Sequence, residues 1–340
     1  MTEAVLDNIF ANKKILVTGA TGSIGSELVR RLLKYDPSVI RIFSNDENAQ
    51  FILEQELAKY SNLRFFVGDI REKDRLRRAM DDIDIVFHAA ALKHVPLCEY
   101  NPFEAVKTNV IGTQNLLEIA IDEEVEKVIT ISTDKAVNPI NVMGATKLLA
   151  ERLTIAANQY KGSRKTVFSC VRFGNVLASR GSVIPLFKSQ IEKGGPLTVT
   201  DPEMQRFVMD ISKAIGLVLE SARLAKGGEI FILKMPTLKI GDLAEVMVEK
   251  LAPKYGFKPS QIAIRMVGKR DGEKSYEDLM TEDEALHAYE TDDMFVIVPA
   301  SKMKAYEPIG RVSVKKYNSK IATKLTKKEV SKLLDDYIDY

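Results

Sequence analysis

Ser132-Thr133-Asp134-Lys135 and, a few residues on, Met143-Gly144-Ala145-Thr146-Lys147 gather one carboxyl group and two amines in a short length of chain. Burial raises a carboxyl pKa and lowers an amine pKa, because each charged form loses its water. A closed apolar pocket could therefore make Asp134 a proton donor and a neighbouring lysine a base near neutral pH. Direct attraction between Asp134 and Lys135 opposes both shifts, and a closed ion pair would be inert. Geometry sets a second condition. Neighbours on a strand point to opposite faces, so Asp134 and Lys135 meet one substrate only if the chain leaves strand geometry at Thr133. A strand that ends before Pro139 permits this. Alone, an Asp-Lys pair is ordinarily a solvated loop pair, so the elements around it decide what it can do.

Those elements are legible. Residues 13–19 (KKILVTG) read as a buried parallel strand, and residues 23–35 as a helix with Ile24, Leu28, Leu32 and Leu33 on one face. Further strands are predicted over 39–44, 63–67, 84–88 and 127–132, with helices over 47–60, after Asp74 and over 103–123. This alternation means βαβ units, hence an α/β, doubly wound parallel sheet with right-handed crossovers. Such sheets bind ligands at the carboxyl ends of their strands, where Asp134 and Lys135 stand.

Gly19-Ala20-Thr21-Gly22-Ser23-Ile24-Gly25 joins the first strand to the first helix with the spacing G-x-x-G-x-x-G. Glycines allow a tight turn and close backbone approach, and a helix N-terminus offers free N–H groups to a pyrophosphate. Gly19, Thr21, Gly22, Ser23, Ile24 and Gly25 are therefore the predicted cradle of a dinucleotide. Asp46 falls near where an acid would hold the adenosine ribose 2′-hydroxyl. Ser44-Asn45-Asp46-Glu47 has no basic residue for a 2′-phosphate, which predicts NAD, with NADP as the alternative. The competing reading is that Asp46 or Glu47 caps the next helix. Asp69 and Ile70, after the third strand, are placed to meet the adenine. Ala89, Ala90 and Ala91, after the fourth, are small where the cofactor must pass closely. Asn109 is assigned to the same cofactor. Lys93 and His94 could flank the nicotinamide or the substrate, although His94 reads equally well as a loop histidine.

Composition narrows the partners. The chain has 340 residues, 45% of them apolar and 28% charged, as in ordinary globular proteins. Its 49 basic and 47 acidic residues leave a formal charge of +2, so no global field recommends nucleic acid or membrane. Cys98 and Cys170 read as buried free thiols. No metal-ligand cluster and no hydrolase elbow is visible. No run approaches the roughly twenty apolar residues of a membrane span, and the start of the chain lacks the pattern of a leader. The expectation is a soluble, cytoplasmic protein.

Beyond Lys147 the alternation loosens. Strands are predicted over 166–172, 229–233 and 294–299, with a glycine- and serine-rich stretch over 180–200. Thr326 and Glu329 have the spacing of a capping box for a last helix. Residues 1–174 read as a dinucleotide-binding domain and 175–340 as a smaller substrate-binding lobe interleaved with it.

Taken together, TGATGSIG, GDI, HAAALKHVP, STDKA, NVMGATK, RFGNVLASRGSVIPLF and RDGEKSYEDLM resemble the extended short-chain dehydrogenase/reductases. More narrowly, they resemble the UDP-N-acetylglucosamine 4,6-dehydratases of the polysaccharide-biosynthesis group, over about residues 13–300. STDKA followed by MGATK is the specific part. The resemblance implies a Rossmann-like fold whose C-terminal lobe closes over a UDP-sugar. Large members carry an N-terminal membrane region, so this chain resembles the short soluble type. Many short members have tyrosine where this sequence has Met143.

The resemblance also implies a redox-neutral reaction. A nicotinamide cofactor takes a hydride from C4 of the hexose, a base removes the C5 proton, an acid assists loss of the C6 hydroxyl, and the hydride returns to C6. By resemblance Asp134 is the acid at C6 and Lys135 the base at C5. Thr133 would bond the sugar 4-hydroxyl, and Lys147 would hold the nicotinamide ribose. A thioether at Met143 cannot accept the 4-hydroxyl proton, which must pass through Thr133 or water towards Asp134 or Lys135. Asn175, Arg180, Arg206 and Glu273 form the expected substrate side, with Leu197 and Val199 as a backbone edge for uracil. A planar guanidinium suits a diphosphate because it bonds phosphate oxygens bidentately. Two other readings remain open: a UDP-hexose 4-epimerase, which needs no elimination at C6, and a non-catalytic NAD(P)-binding module. A homo-oligomer is expected, with the helices over 103–123 and 143–159 as its surface.

Overall fold

The computed structural model describes residues 9–177 and 179–338; residues 1–8, where the absence of a leader was expected, lie outside the described part. The first half alternates as expected. Strands β1 (Lys14–Thr18), β2 (Val39–Ser44) and β3 (Leu63–Val67) are separated by helices α1 (Ser23–Leu32) and α2 (Glu47–Glu56). Helix α3 (Lys73–Met80) leads to β4 (Ile85–His88), and α4 (Val95–Tyr100), α5 (Pro102–Val106) and α6 (Gly112–Asp122) lead to β5 (Lys127–Thr133). Helix α7 (Val142–Tyr160) then leads to β6 (Val167–Phe173). These six strands lie parallel in the order β3-β2-β1-β4-β5-β6. The chain thus reverses its direction of winding between β1 and β4, and a crevice opens above their carboxyl ends.

Both faces of the sheet are covered, which is why its strands are apolar throughout. Ile15 and Val17 pack with Leu28, Val29 and Leu32 of α1 on one face. Leu16, Val86, Val128 and Phe168 pack with Leu76 of α3 and Leu116 of α6 on the other. Cys98 and Cys170 are buried free thiols, as read from the sequence.

The chain beyond residue 174 is divided between two tasks. It first forms β7 (Asn175–Val176), α8 (Val183–Glu192), β8 (Leu197–Val199), β9 (Gln205–Met209) and α9 (Ile211–Leu224). Strand β10 (Ile230–Leu233) then rejoins the main sheet parallel to β6. Next come β11 (Thr237–Lys239), α10 (Ile240–Leu251), β12 (Ile264–Met266), β13 (Asp278–Met280) and α11 (Glu282–Ala285). Strand β15 (Met294–Ile297) pairs antiparallel to β10, and β14 (Ala288–Glu290), antiparallel to β15, completes the nine-stranded sheet, ahead of β16 (Tyr317–Asn318) and α12 (Lys327–Ile338). The remaining strands form small sheets, β11-β9-β7, β12-β8 and β13-β16. A second core of Phe187, Ile191, Leu243, Met247, Val330 and Leu334 joins α8, α10 and α12. Thr326 and Glu329 exchange the two bonds of the expected capping box.

The predicted helix over 103–123 is interrupted. Lys107–Ile111 forms a turn of π-helix, the wider winding that inserts a residue and re-aims its neighbours. A buried ion cluster ties α7 to the second half of the chain. Arg172 Nη2 lies 2.7 Å from Glu151 of α7 and 3.0 Å from Glu284 of α11, and Arg172 Nη1 donates to Leu279 O at 2.8 Å.

Candidate active site

A cavity of ≈ 760 Å³ runs along the carboxyl ends of the strands, lined at one end by Ser44, Asn45, Asp69 and Arg71 and at the other by Lys135, Met143 and Asn175. The glycine turn sits between. Gly19 has φ +64°, and a Cβ there would come to 2.7 Å from the backbone of Ala90. A Cβ on Gly25 would come to 2.3 Å from Gly19 O. Both glycines are therefore demanded by backbone meeting backbone, and α1 begins with its N–H groups at the cavity wall. Of the residues assigned to a cofactor from the sequence, Gly19, Thr21, Gly22, Ser23, Ile24, Gly25, Asp69, Ile70, Ala89, Ala90, Ala91, Lys93 and Lys147 line this one cavity. Its length, its cradle at the switch point and its apolar walls fit a dinucleotide.

Two of the residues assigned to the cofactor do other work. The Asp46 carboxylate accepts from Ala49 N at 3.0 Å and caps α2, and it does not line the cavity. Asn109, turned inward by the π turn, is 1% exposed; it bonds Leu92 N at 2.8 Å, Leu92 O at 2.9 Å and Thr146 Oγ1 at 3.0 Å. It positions the loop after β4 without reaching the cavity. His88 does similar work. Its Nδ1 lies 2.7 Å from Thr18 Oγ1 and its Nε2 lies 3.0 Å from Thr113 Oγ1, which holds β1 and β4 together beneath the cradle. Burial, and then the Lys147 charge, push the His88 pKa down to about 3, so the ring is neutral.

Arg71 was not visible as a site residue. It follows the third strand, whereas the sequence argument about a 2′-phosphate searched only the end of the second. It lines the Ser44–Asp69 end of the cavity and is already paired, with Asp69 at 2.7 Å and Glu104 at 2.6 Å. Its hydrogen bond holds the Asp69 carboxyl below the ordinary value, against the desolvation that raises it.

At the other end, β5 stops where the chemistry required. Thr133 is extended at φ −148°, and residues Asp134–Ala136 form a tight turn capped by its hydroxyl. The turn swings consecutive side chains to one side. Lys135 Nζ lies 3.0 Å from Asp134 Oδ1, and Thr133 Oγ1 donates to the same oxygen at 2.9 Å. Asp134 is fully buried behind Thr133 and Gly174, whereas Thr133 and Lys135 face the cavity. The closed ion pair anticipated from the sequence is thus present.

A third group was missed. Glu277, 2% exposed, lies with Oε1 3.5 Å from Lys135 Nζ. Burial lowers the Lys135 pKa, but Asp134 and Glu277 outweigh it and leave the ammonium above its ordinary value. Desolvation raises the Glu277 pKa, against Lys135 and Arg206, so its charged form is disfavoured. Lys147 donates to Ile131 O at 2.6 Å, and burial lowers its pKa. Met143 is 3% exposed, lines the cavity and packs with Cys98 and Ala105.

The expected substrate side is only partly assembled around the cavity. His94 and Asn175 line it, and Asn175 Oδ1 and Ser182 Oγ are buried there without a partner. Arg180 instead lies over the cradle: its guanidinium donates to Thr21 O, its N–H donates to Ser23 Oγ at 3.0 Å, and Lys93 Nζ donates to its carbonyl at 2.7 Å. Arg206 lines a second, small cavity of ≈ 20 Å³ behind Asn175 and Ser182, and donates to Lys274 O at 2.8 Å. Glu273 lies 3.8 Å from Arg206, away from the main cavity. Leu197 and Val199 line neither cavity: their side chains are buried in the second core, and the backbone of β8 pairs along one edge with β12. Among the described residues, no group of three or more His, Cys, Asp or Glu side chains could hold a metal ion. No described helix is long and apolar enough to cross a membrane.

The profile of a family described as polysaccharide biosynthesis protein matches residues 15–299. An uncharacterized membrane protein of Methanocaldococcus jannaschii is 61% identical over 97% of this chain and 98% of its own length. A UDP-N-acetylglucosamine 4,6-dehydratase (inverting) of Campylobacter jejuni is 43% identical over 86% of this chain and 85% of its own. A UDP-glucose 4-epimerase of Rickettsia typhi is 41% identical over 96% of each chain. Among solved structures, Pen from Bacillus thuringiensis is 46% identical and superposes with a TM-score of 0.91 over 96% of this chain and 98% of that one.

Proposed function

The chain belongs to the polysaccharide biosynthesis protein family, which includes the UDP-N-acetylglucosamine 4,6-dehydratases, and from that premise we propose that it dehydrates UDP-N-acetylglucosamine at C4–C6. The coarser statement is already secure: its named enzyme relatives are sugar-nucleotide dehydratases and epimerases. The observation that carries the finer one is the acid–amine pair of Asp134 and Lys135, in which Lys135 lines one cavity with the glycine cradle and Met143 while Asp134 is buried directly behind Thr133. An epimerase needs no acid and base at C5 and C6.

The cradle from Gly19 to Gly25, with Lys147, would hold a nicotinamide dinucleotide, which would supply acceptance and return of one hydride. This chain supplies the proton chemistry. Thr133 bonds the 4-hydroxyl and passes its proton to the Asp134 carboxylate, 2.9 Å away. Loss of hydride from C4 leaves a ketone that acidifies C5. Lys135, as a neutral amine, removes the C5 proton, while Asp134 returns its proton through Thr133 to the departing C6 hydroxyl. Water leaves, hydride arrives at C6, and Lys135 returns its proton to C5. The proton of the 4-hydroxyl thus departs in the water, and the cofactor ends unchanged. We assign NAD to the cradle because Arg71, the cation that lines the cavity beside Asn45 and Asp69, is already paired with two carboxylates. The orphaned Asn175 Oδ1 and Ser182 Oγ suit the nucleotide-sugar side. Self-association fits the exposed Tyr100 and Phe103, 87% and 80% accessible, at the end of α4 and on α5.

The second reading is a UDP-hexose 4-epimerase, favoured by the full-length likeness to the Rickettsia protein. Incubating the purified protein with UDP-N-acetylglucosamine, without reductant, separates the two. A product lighter by one water with a C6 methyl group supports dehydration. An isomer of unchanged mass replaces it with epimerisation, and unaltered substrate with cofactor bound sinks both.

A further inference from the structure

We propose that the segment over residues 308–328 is a docking surface for an anionic lipid bilayer, with Ile321 as its apolar tip. The inference goes beyond the sugar-nucleotide reading and does not depend on it, because none of the residues it uses lines the main cavity.

The near-neutral total charge hides a local excess. Between Glu307 and Glu329 the chain carries seven lysines and arginines and no acid, and all seven are exposed. Two of them meet carboxylates from other segments: Lys316 lies 3.3 Å from Glu282, and Lys327 pairs with Glu245. Among the described residues, no carboxylate pairs with Lys315, Lys320, Lys324 or Lys328. Lys320 Nζ lies 4.0 Å from the Tyr276 ring centroid, a contact that leaves its charge intact. Four uncompensated ammonium groups within fourteen positions of chain make a local positive field that the summed charge does not report.

The backbone presents this charge on a fixed projection. The Tyr317 hydroxyl donates to Met235 O at 2.9 Å, and Ser319 N donates to Glu277 O at 2.8 Å, which anchors β16 from beneath. Asn318 then closes a turn. Its Oδ1 accepts from Lys320 N at 3.1 Å and from Ile321 N at 3.3 Å, and its backbone O accepts from Ala322 N at 3.1 Å. Beyond the turn, Thr237 N donates to Thr323 O and Leu325 N donates to Thr237 O, both at 2.8 Å, so the chain is stitched to β11. Ile321 stands 55% exposed on this turn, with Lys320 before it and Lys324 after it. A tip already held in one conformation loses little entropy on docking.

The chemistry favours lipid over nucleic acid. Lysines attract an anionic headgroup layer as point charges, and an aliphatic side chain between them can enter the boundary with the acyl chains. Single-stranded nucleic acid is held largely by stacking on exposed rings. The one aromatic side chain of this segment, Tyr317, is 9% exposed and faces inward.

The test mixes the full-length protein with vesicles of phosphatidylcholine alone, or of phosphatidylcholine and phosphatidylglycerol in equal parts, and reads co-sedimentation. The wild type should pellet only with the anionic vesicles and be released as salt approaches ~0.5 M, where screening shortens the reach of surface charge. Each lysine near such a surface is worth about fivefold in affinity, so changing Lys315, Lys320, Lys324 and Lys328 together to glutamine should lower binding by about 100-fold or more. Ile321→Ser should weaken it by about tenfold. Both variants should keep the wild-type urea midpoint, which shows that the fold is intact. No pelleting of the wild type, equal pelleting with neutral vesicles, or full binding by the quadruple variant would overturn the proposal. So would an RNA oligonucleotide that strips the protein from anionic vesicles at equal phosphate concentration, since the surface would then fit nucleic acid better.

Discussion

Replacing Arg172 by methionine tests whether a buried charge cluster holds the helix of Met143 and Lys147 against the C-terminal segments. The guanidinium is 1% exposed and makes paired bonds to Glu151, also 1% exposed, and to Glu284, 15% exposed. Removing it leaves two largely desolvated carboxylates and the Leu279 carbonyl without their donor. Breaking a buried ion pair from one side costs about 3–5 kcal/mol, so Arg172→Met should lose that much in urea unfolding, read as a lower midpoint with unchanged slope. Adding Glu151→Leu should recover a large part of the loss, because the uncompensated carboxylate disappears with its partner. The pH dependence has a definite sign. Burial raises the Glu284 pKa, but Arg172 outweighs it and leaves the group below 4.5. Its contribution is therefore complete above that value and fades as pH falls through the depressed one. The gap between wild type and Arg172→Met should narrow over the same range, since protonated carboxyls no longer need the arginine. A loss under about 1 kcal/mol at neutral pH, or a gap that widens in acid, would refute the reasoning.

Two further outcomes follow from the site. Gly25→Ala places a Cβ 2.3 Å from Gly19 O, a backbone atom that cannot swing away. The variant should fold but bind NAD at least about tenfold more weakly, ~1.4 kcal/mol, by titration calorimetry; wild-type affinity would remove the cradle from the account. His88 is neutral in the native state, with its pKa pushed down to about 3 from 6.5. A depressed base means the unfolded chain binds the extra proton, so stability falls with acidification between those values by about 1.4 kcal/mol per pH unit. His88→Gln should flatten the unfolding curve by one proton over that window, and an unchanged slope would mean His88 is charged.

The sheet and the cradle were readable because their signals are local: apolar runs bounded by glycine, and three glycines at one spacing. The turn after Thr133 was readable for the same reason. What the sequence hid was competition and convergence. Asp46 stands at an acid's expected position, yet its carboxylate is drawn to Ala49 N because a helix begins there. A single π turn re-aims Asn109, which no periodicity announces. Arg71 reaches one cavity end from the turn after the third strand, and Glu277, just before β13, meets Lys135 from behind the cavity wall, so only the folded chain brings them near Asn45 and Lys135. Arg180 and Arg206 were chosen for their chemistry, and in the fold backbone carbonyls accept from both, a competition no sequence pattern announces.

The central claim is that one hydride leaves C4 and returns at C6 while water departs. UDP-N-acetylglucosamine carrying deuterium at C4 tests it in a single incubation read by mass and NMR. The account predicts a 4-keto product lighter by one water, with the deuterium in its C6 methyl group. A product of unchanged mass with deuterium still at C4 would contradict it and make the protein an epimerase.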